Sequence, residues 1–348
     1  MRDFLTFKNK FLIFLFCCAV IVGPAYTTFD HFDFSHSPDT KSYMKMAEWD
    51  YDVLITHRYR VIVPALASAI HSPVSALYKA LWPDREENKT KGLMMSYFMI
   101  NTTITSITGL FIYFICLSYG ASPLASILSL ISFLVSCWTI YIAGLPLVDS
   151  LYILIIAVTI YGIKANNKTA LIFSILIGPF AKESYIFIAP LILLFGRNTM
   201  SLKFQIPLFL LSGTIVFFTR FYIDKIMGTP LDANFNNAFI QFYTIPYTLK
   251  RIFSFRGAGE IFRVWGLFTF IFILGFLGGK TAKVSWSSRM DVLSIGLLIA
   301  VIIHVLLSGD VGRMLHLASP IFVVAVALIL DRHPYFTMFR DLIFTRNK

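Results

Sequence analysis

PDTKSYMKMAEWDYDVLITHRYRVIVPAL, residues 38–66, is the most polar and most charged stretch of an otherwise apolar chain. From Asp39 to Leu66 it brings acidic, aromatic and basic groups together: Asp39, Glu48, Asp50 and Asp52, then Tyr43 and Tyr51, then His57, Arg58 and Arg60. It follows the first apolar segment directly. A chain that keeps such a loop beside its first membrane helix uses it for chemistry or for docking a charged ligand.

What surrounds the loop sets the fold class. The 348 residues are 57% hydrophobic and only 14% charged, with a mean hydropathy of +0.72, where a soluble domain carries about 25% charged residues. Thirty-five Phe and sixteen Tyr suit lipid-facing and interfacial surfaces. No soluble stretch is long enough to bury a core of its own, so residues 1–348 are expected to form one all-α polytopic membrane helix bundle. The formal charge of +11 fits basic residues at the cytoplasmic ends of spans and contacts with membrane lipids. It does not indicate nucleic acid, because no basic stripe lies on a soluble module. Cys17, Cys18, Cys116 and Cys137 all fall in apolar spans, and their spacing suggests neither a disulfide framework nor a zinc site. They read as small core hydrophobes.

Residues 11–27, behind Arg2, Lys8 and Lys10, resemble a signal peptide. With no small-x-small cleavage site and many spans to follow, they read as a retained anchor helix with its N-terminus in the cytoplasm. Residues 28–92 are then an exoplasmic loop, with two short interfacial helices over 58–81, broken by Pro64 and Pro73. Further spans are expected at 93–118, 122–141, 147–163, 169–180, 184–196, 204–223, 262–279, 291–308 and 314–330, about ten in all with the first. The two short pieces around Lys182, with Pro179 and Pro190 in them, read as broken helices lining a cavity. The links that become cytoplasmic carry Lys164/Lys168, Arg197/Lys203 and Lys280/Lys283/Arg289, and the tail carries Arg332, Arg340, Arg346 and Lys348. That obeys the positive-inside rule and places both termini in the cytoplasm, as in a multi-pass protein of a bacterial inner membrane. A rival map lets 61–81 cross and makes 169–196 one helix, burying Lys182 and Glu183 at mid-bilayer at a cost of several kcal/mol without partners.

On the first map the polar outliers share the exoplasmic face. They are Asp30, Asp33 and Asp39, Asp149 at the mouth of the fourth span, and Lys182 and Glu183 between the half-spans. A second loop, 224–260, adds Asp224, Lys225, Asp232, Lys250, Arg251 and Arg256, and the turn GDVGR adds Asp310 and Arg313. Each has a purely structural reading as well. Asp30 and Asp33 could solubilise a loop, and Asp39 could cap the helix TKSYMKMA. Arg58 and Arg60 could snorkel to headgroups, and Lys182–Glu183 could be a self-neutralising pair. Asp149 could face a helix dipole, Asp310–Arg313 could lock a turn, and His304 is expected to be a hydrogen-bonded interior residue.

The spacing Asp39-x3-Tyr43-x3-Ala47-x3-Tyr51, followed by RYRVIVPAL, resembles the first exoplasmic loop of GT-C-fold glycosyltransferases that use polyprenyl-phosphate sugars. The resemblance is to the branch of GPI-type mannosyltransferases and their bacterial relatives. The chain departs from that pattern at Met46, at Asp50 and in the Arg58-Tyr59-Arg60 run, and the likeness covers about thirty residues. It implies a GT-C-like fold with interfacial helices in the first loop. It also implies Asp39 as catalytic base, with Asp33 or Asp30 as the alternative. A base near the acceptor takes the hydroxyl proton as that oxygen attacks the anomeric carbon. The departing lipid phosphate then needs fixed positive charge, for which Arg58, Arg60, Lys182 and Arg313 are candidates. Tyr43, His57, Asp149 and Glu183 complete the expected substrate-binding set. The implied partners are a lipid-linked sugar donor and a glycan, lipid or protein acceptor. A divalent cation bridging acidic residues and phosphate occurs in some family members, although no ligand spacing here demands one. The competing readings are a transporter or flippase for a lipid-linked or anionic solute, and another membrane transferase such as a polysaccharide polymerase, a ligase or an acyltransferase.

Overall fold

A computed structural model of the chain describes residues 7–33, 37–83, 88–228 and 241–338, and every regular element among them is helical. The first half holds α1 (Phe7–His31), α2 (Pro38–Ala47), α3 (Ile55–Arg58), α4 (Ile62–Leu81), α5 (Asn88–Ser118), α6 (Pro123–Leu134), α7 (Cys137–Gly144), α8 (Asp149–Lys164) and α9 (Lys168–Ala181). After a 3-10 turn at Glu183–Phe187 come α10 (Ala189–Phe195), α11 (Leu202–Met227), α12 (Thr244–Ile252), α13 (Phe255–Trp265) and α14 (Phe268–Leu274). The chain continues through α15 (Gly279–Ser287), α16 (Val292–Ser308), α17 (Val311–Leu315) and α18 (Ser319–Arg332).

Among the described residues four helices are long and apolar enough to cross a membrane: α1, the Thr90–Ser118 part of α5, α11, and the Val311–Arg332 unit that joins α17 to α18. The count rises to seven if each of three bent pairs is one span, namely α6–α7 (63°), α13–α14 (96°) and α15–α16 (88°). The described residues thus give four to seven candidate spans, and the count of ten is not confirmed. The continuous span expected over 262–279 is interrupted by the sharp bend at Gly266, whose φ of 54° is left-handed, and by a further break before α15. The described residues of the second expected loop are largely helical: α11 carries Asp224 and Lys225, and α12 and α13 follow from Thr244. Asp232 and the tail residues Arg340, Arg346 and Lys348 lie outside the described residues.

One local expectation changes, and one stands. The stretch 58–81 does not break into two interfacial pieces, since α4 runs unbroken from Ile62 to Leu81. Pro64 falls in its first turn, where no amide is needed, and Pro73 is absorbed inside the helix. One face of α4, with Val63, Pro64, Ala67, Val74 and Tyr78, is buried against α5. Around Lys182 the break is real: α9 ends at Ala181, Lys182 is extended (φ −165°, ψ 142°), and α10 begins only at Ala189. Tyr185 folds back onto Gly178, where a Cβ would collide with its ring.

The centre of the bundle is α8. All of its residues except Tyr161, Ile163 and Lys164 are buried, because α5 and α9 cover it from two sides. α9 comes close at Gly162, where a Cβ would meet Leu171 at 2.7 Å. A helix apolar all round is one enclosed by other elements, and this burial fixes the position of Asp149 at its first turn.

Candidate functional site

The loop from Leu145 to Val148 delivers Asp149 to the top of α8, and Asn101 on α5 holds that loop. Its Nδ2 donates to the carbonyls of Leu145 (2.8 Å) and Leu147 (3.0 Å), and its Oδ1 accepts from Ser150 (2.6 Å). All three bonds are buried, so Asn101→Ala leaves two carbonyls and a hydroxyl without partners. It is expected to destabilise the protein by about 2 kcal/mol or more, read as a lower midpoint of thermal unfolding in detergent.

Asp39 arrives from the other side. The N-cap of α2 is not Asp39 but Ser37, whose Oγ accepts from the Thr40 amide, with Pro38 at the first helical position. Asp39 therefore lies in the first turn with its carboxylate free to face the bundle. There Oδ2 meets Arg313 Nη1 at 2.6 Å and Oδ1 meets His57 Nε2 at 3.4 Å. Arg313 also faces Asp310 through Nε (3.2 Å) and Asp149 through Nη1 (3.9 Å). Asp149 in turn holds Lys182 Nζ at 3.0 Å. Asp39, Asp149, Lys182 and Arg313 thus form one chain of charges, joined by His57 of α3, at the ends of α2, α8, α9 and α17.

A second strand of the cluster runs beside it. Arg60 donates Nε and Nη2 to Glu183 Oε2 (3.2 and 3.1 Å) and Nη1 to the Tyr43 hydroxyl (2.8 Å). Arg220 on α11 reaches the other oxygen of Glu183 (3.8 Å) and lies over the Tyr59 ring, 4.6 Å from its centroid. Tyr59 donates to Asp224 (2.7 Å), which also faces Arg58 at 3.5 Å.

Several structural readings are thereby corrected. Lys182 and Glu183 do not neutralise each other, because extended backbone at Lys182 sends the two side chains to opposite partners, Asp149 and Arg60. Arg58 and Arg60 do not snorkel to lipid, since Arg58 is 6% exposed and both are paired with acids. Asp30 ends α1 rather than sitting in a loop, and Asp33 follows that helix; neither joins the ion pairs around Asp39. His304 is an interior hydrogen-bonded residue, its Nε2 2.8 Å from the Tyr152 hydroxyl and its Nδ1 2.7 Å from the Ala300 carbonyl. Cys17 and Cys116 are buried, but Cys137 is exposed and lines a cavity instead of a core.

The electrostatics follow from the pairing. Burial pushes the Asp39 carboxyl up, but the Arg313 guanidinium outweighs it and holds the group below the usual carboxylate range. Burial lowers His57, and adjacent Asp39 only partly opposes it. At neutral pH Asp39 is therefore a carboxylate and His57 a neutral imidazole. The carboxylates of Asp39, Asp149 and Asp310 already face Arg or Lys, a donor set that does not fit a divalent cation. No group of three or more His, Cys, Asp or Glu suited to a metal occurs among the described residues.

The cluster borders an open cavity of about 680 Å3, walled by α7, α12, α13 and the turn at Ser308–Asp310. Asp310 belongs to both, lining the cavity and facing Arg313. Arg220 is the site residue the sequence reading missed. Its signal was an arginine one turn before Asp224 in an otherwise apolar helix, a spacing that puts both on one face. Comparison with protein-family models, with curated proteins and with solved structures finds no match to this chain.

Proposed function

We propose that this protein is a membrane glycosyltransferase that moves a sugar from a polyprenyl-phosphate donor to an acceptor hydroxyl. The observation that carries the reading is the meeting of Asp39 with Arg313, linked through Asp310 to an open cavity, with Arg60 and Lys182 close by. In the reaction Asp39 takes the proton of the acceptor hydroxyl as its oxygen bonds to the anomeric carbon. The bond from that carbon to the phosphate oxygen breaks, and polyprenyl phosphate leaves with the electron pair. Arg313 is the first cation offered to that phosphate. It now faces three carboxylates, so an arriving phosphate replaces Asp39 on the guanidinium and releases a stronger base. His57 receives no formal charge and orients the Asp39 carboxylate. The apolar surfaces of α1 and α11, which carry exposed Phe, Leu and Ile, suit a polyprenyl tail.

A transport reading draws support from the break at Lys182 and its buried pair with Asp149, a device that transporters use at ligand sites. One assay separates the two. Purified protein in proteoliposomes is given polyprenyl-phosphate hexoses or the matching sugar nucleotides. Transfer from the lipid donors supports the enzyme; lipid donor movement without product, or transfer from nucleotides alone, overturns it.

The pH dependence adds a check. Because Arg313 is what keeps the Asp39 carboxyl low before the donor arrives, the acid limb of native kcat/KM lies below the ordinary Asp range near 3.9. In Arg313→Gln burial and the Asp149 charge both raise Asp39 against His57 alone, and the acid limb of the residual rate shifts to higher pH.

A further inference from the structure

The cavity beside the charge cluster has chemistry of its own that the transfer reaction leaves unused. Trp138 and Tyr141 on α7 meet edge to face at 5.6 Å, and Tyr247 on α12 forms the facing wall. Trp138 is fixed in place: its indole Nε1 lies so close to Gly312 that a Cβ there would approach to 2.5 Å. Glu260 and Asp310 supply carboxylates between these rings. Flat aromatic faces with planar polar groups between them are the surface that sugar rings bind, C–H faces on the rings and hydroxyls on the carboxylates.

The charge balance narrows the ligand. Glu260 is occupied by Arg251, which donates two hydrogen bonds to it from Nε (3.2 and 3.0 Å), and Asp310 faces Arg313. Arg263 lines the same cavity, yet its guanidinium has no hydrogen bond or ion pair among the described residues. The Arg263 guanidinium, exposed in this cavity, is therefore a bidentate donor available to an anionic group.

We propose that this cavity is the acceptor subsite and that it takes a carbohydrate bearing a carboxylate or other anionic group, held on Arg263. The sugar rings lie against Trp138, Tyr141 and Tyr247, and the attacking hydroxyl is directed past Asp310 toward Asp39. The inference rests on the transferase reading for the word acceptor, while the binding itself does not depend on transfer.

Binding is measured calorimetrically on the purified full-length protein in nanodiscs, without donor. The probes are two uronate tetrasaccharides (galacturonate and hyaluronan), maltotetraose as the neutral comparison, and inorganic phosphate. The acidic tetrasaccharides are expected to bind about tenfold or more tighter than maltotetraose, the scale of one charge-assisted hydrogen-bond pair. Arg263→Ala is expected to abolish that preference with maltotetraose unchanged, and Arg263→Lys to restore part of it. Trp138→Leu is expected to weaken both sugar classes. Because this binding is read without donor, failure of transfer and failure of the subsite remain separate results. Equal affinity for acidic and neutral sugars, phosphate binding as tightly as the tetrasaccharides, no binding by any sugar, or a native preference in Arg263→Ala would each overturn the proposal.

Discussion

Asp39→Asn is expected to slow sugar transfer by about 100-fold or more, the usual contribution of a positioned general base. The substitution is close to isosteric, and the amide oxygen can still accept from Arg313 Nη1. Folding and donor affinity should therefore change little while the proton acceptor disappears. The loss should fall on kcat in single-turnover measurements, with the donor concentration for half-maximal rate near its native value. A variant that transfers at the native rate would remove Asp39 from the chemistry and leave the Asp39–Arg313 contact as a brace between α2 and α17. Should kcat stay native and only the donor requirement rise, Asp39 would be a binding residue instead.

Lys182→Met is expected to cost about 3–5 kcal/mol, because it strands a buried carboxylate. Asp149 and Lys182 have side chains only 3% and 10% exposed, and without Lys182 the nearest cation to Asp149 is Arg313 at 3.9 Å. Replacing both partners, Asp149→Leu with Lys182→Met, removes the desolvation cost along with the attraction. That double variant is expected to be more stable than Lys182→Met alone. Denaturant midpoints of the native protein, the two single variants and the double variant form the cycle that measures the coupling. If Lys182→Met unfolds at the native midpoint, the pair contributes nothing to stability.

Particular residues show what sequence could and could not reveal. Pro179, Pro190 and a Lys-Glu pair in apolar sequence marked the break between α9 and α10, since backbone and charge both argue against an unbroken helix there. The polar stretch around Asp39 stood out for the same reason; Asp39, Tyr43, His57, Arg58 and Arg60 do gather, through contacts as distant as Asp39 with Arg313, whereas Glu48, Asp50 and Asp52 stay exposed outside the cluster. The pairings themselves were not legible. Whether Glu183 turns to its neighbour Lys182 or to Arg60 depends on the extended backbone of one residue, which no local pattern encodes. Pro73 was misleading because α5 packs along α4 and sustains it past a missing hydrogen bond. The interruption of the span expected over 262–279 was not legible, since apolar composition continues through the bend at Gly266 without a change that a hydropathy window can register. Arg220 escaped because an isolated arginine in a long apolar helix looks like a surface charge until the fold brings Glu183 beside it.

The Asp39–Arg313 contact joins residues 274 positions apart, and this has a consequence for biosynthesis. At about 5–20 residues per second, a ribosome needs roughly 14–55 s to make the chain that separates them. Throughout that interval the nascent N-terminal helices hold their acid without its arginine. Messages truncated before the codon for residue 313 would yield polypeptides in which that acid never meets its partner, a form that quality-control proteases can distinguish from the finished product.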